Sequence, residues 1–167
     1  MPKPLEVTQP SDREVRVVRT FNAPRQLVWD AHTKPDLIRK WMLGPPGWSM
    51  PVCDMDVRVG GAYLWRWRSD ADGKEFGFFG DFTEVAKPSA LAHTQTYDPG
   101  DVGGAMYDDE PAVISTVFTE AGGVTTLTLT MLFPSKEARD GAVSTGMTGG
   151  MEIGYERLDD MFSKAAA

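Results

Sequence analysis

Cysteine is nearly absent from this chain: Cys53 stands alone among 167 residues, so no internal disulfide can form. Flanked by Val52 and Asp54 in a strand-like stretch, it reads as a small buried side chain. Histidine is scarce too, and His32 and His93 have no Cys or His neighbours at zinc-ligand spacing. Positive charge is outnumbered, with 17 Lys and Arg against 24 Asp and Glu, a formal net charge of −7. No basic stripe interleaved with aromatics occurs, which argues against a nucleic-acid partner, since phosphate backbones need clustered cations. No apolar run approaches bilayer length, so no membrane insertion is expected. The opening MPKPLEVTQPSD lacks the apolar core of a signal peptide, and a cytoplasmic location is the expectation. There is no phosphate-cradling glycine loop and no Gly-x-Ser-x-Gly elbow. No cofactor is expected, and no metal: the acidic residues Asp98, Asp101, Asp108, Asp109 and Glu110 match no calcium-loop spacing.

What is present fits one soluble domain, with 41% hydrophobic and 25% charged residues. Residues 1–12 hold three prolines and read as a loose, flexible arm, leaving 13–167 as the single domain. Glu14 to Phe21 is rich in β-branched residues and reads as a strand. Asn22 is placed to cap a helix with Pro24 in its first turn and an apolar face of Leu27, Val28 and Ala31; Pro35 opens a second short helix, stopped by Gly44-Pro45-Pro46-Gly47. Strands are then expected over 52–59, 62–68, 76–85, 91–97, 113–119 and 124–133. Alternation puts Tyr63, Trp65 and Trp67 on one face, with Leu64, Arg66 and Arg68 on the other. Asp54, Asp56 and Arg58 share an outer strand face as a surface ion-pair ladder. After Pro134 the period becomes helical, first in a short helix capped by Ser135, then in a long helix from about Thr148 to Lys164.

Five segments in order carry a resemblance: ValValArgThrPheAsnAlaPro at 17–24, the stretch WMLGPPGWSMPVCDMDVRVGGAY from Trp41 to Tyr63, AspGlyLysGluPhe at 72–76, GlyGlyValThrThrLeuThrLeuThr at 122–130, and TyrGluArgLeuAsp at 155–159. Together they resemble the Hsp90-ATPase-activator-homologue family of the START-like (SRPBCC) superfamily, over roughly residues 14–163. The resemblance implies an α+β helix-grip fold: a curved antiparallel sheet of about six to seven strands around a long C-terminal helix, with two short helices after the first strand. It also implies a ligand cavity between sheet and helix. The chain departs from the family's usual pattern at His32 and His93, where aromatic or apolar residues are commoner, and at Gly149 and Gly154.

Gly146, Gly150 and Gly154 recur every four residues in the expected last helix, where each glycine costs roughly 0.5–1 kcal/mol against alanine. Two offsets are open: close packing of helix on sheet, or space for a cavity. If a cavity exists, alternation lines it with Tyr63, Trp65, Trp67, Phe78, Leu91, His93, Gln95 and Tyr97 from the sheet and Met147, Gly150, Met151 and Tyr155 from the helix. The same residues fill a core if it does not. Loop 98–110 and the segment 44–48 would be its gate. A small apolar partner, aromatic or lipid-like, suits the lined cavity. The alternatives are a polyketide cyclase- or dehydratase-like enzyme using His93 as acid–base, with Gln95 or Tyr155 orienting a carbonyl, and a co-chaperone-like interaction module. His93 serves equally as a hydrogen-bonded structural residue; His32 reads as surface or helix packing. Leu64 and Phe79, facing outward, make a homodimer an expectation.

Overall fold

The structure, a computed structural model, describes residues 4–102 and 110–166. Its strands are β1 Glu6–Thr8, β2 Glu14–Phe21, β3 Trp48–Met55, β4 Ala62–Ser69, β5 Glu75–Ala86, β6 Ala90–Asp98, β7 Ala112–Ala121 and β8 Val124–Leu132. Every neighbouring pair is antiparallel, in the order β1-β2-β8-β7-β6-β5-β4-β3. The first long strand therefore lies beside the last. Helices α1 (Arg25–Thr33) and α2 (Pro35–Trp41) carry the chain from β2 to the far edge, while α3 (Lys136–Ser144) and α4 (Met147–Ala166) follow β8. This is the helix-grip architecture, with one strand more than expected.

The period-2 pattern does the folding work in the sheet. On β2, Val15, Val17, Arg19 and Phe21 all point inward and are buried. Burying each of the apolar ones fully stabilises the fold by about 1.5–3 kcal/mol. Register shifts between Ser49 and Val52 and between Phe82 and Glu84 mark bulges that bend the sheet. Phe21 meets Tyr155 and Phe162 of α4 edge-on, at 5.5 and 5.8 Å between ring centroids, and Leu158 is completely buried beside them.

Arg19 is an inward-facing charge on an apolar strand. Its guanidinium bridges Glu152 at 3.0 Å and Asp159 at 2.6 Å, both on α4, and lies 5.2 Å over the Phe21 ring. The backbone N–H of Leu5 donates to Glu152 Oε2 at 3.0 Å. Residues 6–8, expected within the loose arm, pair with Arg16–Val18 of β2. Edge pairing and this hydrogen bond tie them down.

Several local expectations are corrected. Pro24, not Asn22, holds the cap position of α1, and the first helical N–H is met by the Glu120 carboxylate at 2.6 Å. Leu27 is exposed; Val28, Trp29 and Ala31 form the buried face. β3 ends at Met55, so Asp56 and Arg58 pair at 2.8 Å within an exposed turn rather than along a strand. Gly146 is no part of a helix: with φ of +77° it makes the left-handed break between α3 and α4. Asp98 is held by Arg66 at 2.6 Å, and Asp101 accepts from the Glu75 N–H at 3.3 Å. Asp108 and Asp109 lie outside the described residues.

Candidate functional site

A cavity of about 580 Å³ opens between the inner face of the sheet, α2 and the first turns of α4. Trp65, Trp67, Phe78, Leu91, His93, Gln95 and Tyr97 line it from the sheet, and Met147, Gly150, Met151 and Tyr155 from the helix. Tyr63, expected among them, is not in the wall. Its ring is covered by Trp65, His93 and Phe82, at 4.4, 4.9 and 5.5 Å, and its hydroxyl donates to the Thr94 carbonyl at 2.5 Å. Alternation chose the correct face for Tyr63, but neighbouring rings cover it. The core is therefore not filled.

Ile114, Thr116 and Phe118 of β7, with Trp41 and His32, also line the cavity. The β7 residues follow the same alternation that singled out β4 and β6. The helix residues follow from no local pattern. His32 is a wall residue rather than surface, its ring 4.9 Å from Trp41 and 5.4 Å from Phe118.

The glycines divide. A Cβ built on Gly150, in the wall, would meet nothing within 4 Å. One built on Gly154 would sit 3.2 Å from both a ring carbon and the carbonyl of Trp41. The spacious reading holds at Gly150 and the close-packed reading at Gly154. Around the mouth, Pro45, Val102, Thr145 and Gly146 are exposed lining residues. The expected gate segments thus reach the opening at 44, 45, 48 and 102, while 103–109 lie outside the described residues.

Among the described residues, no carboxylate, ammonium or guanidinium group lines the cavity. Burial pushes His93 down to about 4, so the ring is neutral at neutral pH. Its Nδ1 lies 3.1 Å from both the Tyr63 hydroxyl oxygen and the Thr94 carbonyl. A carbonyl only accepts, so the ring proton sits on Nδ1. Burial likewise pushes His32 down to about 4. The Cys53 thiol, buried on β3, is pushed up to about 11 by the same cause and stays protonated.

A protein from Rhodobacter sphaeroides is similar in structure, with 25% sequence identity, a TM-score of 0.87 and coverage of 97% of this chain and 99% of that one. A Mycobacterium smegmatis protein shares the fold at 22% identity and TM-score 0.81, covering 95% and 96% of the two chains. One from Nitrosomonas europaea does so at 21% identity and TM-score 0.78, covering 95% and 99%. No curated protein matches the sequence. The family described as activator of Hsp90 ATPase homolog 1-like protein matches over residues 22–163, and the chain belongs to that family.

Proposed function

We propose that the protein binds a small apolar molecule in the cavity between sheet and α4. The observation that carries this reading is the unfilled space itself. Its volume lies within the 300–1,000 Å³ typical of small-molecule sites. Its wall is built from tryptophan, phenylalanine, methionine and leucine side chains. An empty apolar space costs stability unless something offsets it, and ligand binding gives a reason for keeping it.

A polyketide cyclase- or dehydratase-like enzyme using His93 is supported less well. His93 does lie within reach of a second polar group, but the Tyr63 hydroxyl donates to Thr94 and the ring is neutral and internally bonded. With so low a proton affinity the ring is a weak base, and its cationic, proton-donating form is scarcely populated near neutrality. An interaction module would have a filled core, whereas this one is open. Self-association through Phe79 and the outer sheet face remains a separate proposal, checked by sedimentation.

The test is a thermal-shift series with neutral aromatic and aliphatic compounds. At 100 times its dissociation constant a ligand stabilises by about 2.7 kcal/mol, which raises Tm by several degrees for a domain of this size. Gly150→Leu fills the cavity and abolishes the shift. A panel that leaves the wild-type Tm unmoved overturns the reading.

A further inference from the structure

His93 has a ring that the fold uses at one end only. It is a buried, inward-facing residue of β6 and part of the cavity wall. Its Nδ1 lies 3.1 Å from the carbonyl of Thr94, the next residue along the strand, and 3.1 Å from the Tyr63 hydroxyl. That end of the ring is turned back onto the sheet. The opposite edge, which carries Nε2, therefore stands off the sheet. Tyr63, Trp65 and Phe82 pack edge-on around the imidazole at 4.9, 5.8 and 5.8 Å and fix its orientation.

Among the described residues, the unpaired side-chain atoms sealed from water are His32 Nε2 and Trp65 Nε1. His93 Nε2 makes no hydrogen bond among the described residues either, but it is not sealed. The open space that this buried side chain borders is the cavity. With the proton on Nδ1, Nε2 offers a lone pair and can only accept. Burial keeps the ring neutral by disfavouring the cation, and leaves that lone pair in place. The indole N–H groups of Trp41 and Trp67, in the same wall, donate to the Ala31 and Met42 carbonyls at 2.8 Å and need nothing from a ligand.

Resting on the binding reading above, we propose that the ligand is an uncharged hydrogen-bond donor, with an apolar body and a hydroxyl or N–H group that donates to His93 Nε2. His93 is then the specificity-determining residue. It separates molecules of one shape by whether they have a proton to give. An ether oxygen at the same place has none. A carboxylate is worse placed, because its oxygens only accept and no Lys or Arg among the described residues lines the cavity.

Equilibrium dialysis of the intact protein at neutral pH tests this with four probes: naphthalene, 2-naphthol, 2-methoxynaphthalene and 2-naphthoate. The naphthol is expected to bind about fivefold more tightly than naphthalene or the methyl ether, the worth of one net hydrogen bond. The carboxylate is expected to bind more weakly than all three. His93→Phe keeps a flat ring in the wall and removes the lone pair, so it cancels the naphthol's advantage and leaves naphthalene binding unchanged. If the naphthol gains nothing over its ether, if its gain survives His93→Phe, or if the carboxylate binds as tightly as the naphthol, the inference is overturned while the binding reading stands. Should His93→Phe fail to bind naphthalene, the wild-type ratio of naphthol to ether decides alone. If no neutral probe binds the wild type, both readings fall.

Discussion

In the first two turns of α4, Gly149 is exposed and Gly150 faces the cavity, and neither has an atom within 4 Å of where a Cβ would sit. One turn later Gly154 lies against Trp41, whose ring also stacks on Tyr155 at 5.7 Å. Beyond it Leu158 and Phe162 are buried against Phe21 and its neighbours. One helix thus has a spacious half and a packed half, built from the same residue type at the same spacing. The free-energy cost of a helical glycine is offset in the packed half by backbone approach, and in the spacious half by nothing local. The uncompensated glycine, Gly150, is the one over open cavity space.

Four substitutions or conditions probe that contrast, from the largest expected effect down. Leu158→Ala in the packed half leaves a cavity and lowers stability by about 2–5 kcal/mol in urea denaturation. A loss under 1 kcal/mol would mean the packed half is looser than its burial indicates.

Acid comes next. His32 and His93 titrate near 6.5 when unfolded and are pushed down to about 4 in the fold by burial. Between those values the unfolded chain holds more protons, so stability rises with pH from about 4 to 6.5 and is lost as pH falls through that window. Between pH 6.5 and 5 each histidine withdraws about 2 kcal/mol. Replacing either by Phe flattens the denaturation midpoint against pH; an unchanged slope in both variants would remove burial as the cause.

Gly154→Leu forces side-chain atoms into Trp41 and costs about 1–3 kcal/mol, whereas the same residue at Gly150 finds room. Equal costs at the two sites would erase the distinction between the halves. The smallest effect has the opposite sign. Gly150→Ala gains about 0.5–1 kcal/mol from helix propensity, because the added methyl meets nothing. A destabilised Gly150→Ala protein would show that the space over α4 is already occupied.

The sheet was legible because its signal is local. Period-2 alternation placed Trp65, Trp67, Leu91 and His93 on the inner face, and turn glycines such as Gly122 and Gly123 marked the hairpin of β7 and β8. The same alternation on β7 turns Ile114, Thr116 and Phe118 inward. Strand β1 was illegible, since three residues hold too little pattern to outweigh the prolines around them. The role of His32 was hidden for a different reason. Nothing near it in sequence says that α1 will lie against Trp41 and Phe118.

Sequence alone determined the fold class, the family and the face of each long strand, because those depend on periodicity and on motifs read within a few residues. Tertiary structure decided which inward residues meet empty space and which meet one another. It set apart Gly150 from Gly154 and left Tyr63 behind Trp65. It also left His32 Nε2 and Trp65 Nε1 unpaired while Trp41 and Trp67 found carbonyls. Packing contacts and hydrogen-bond partners join residues far apart in the chain, and their geometry is settled only when helices and sheet close on one another.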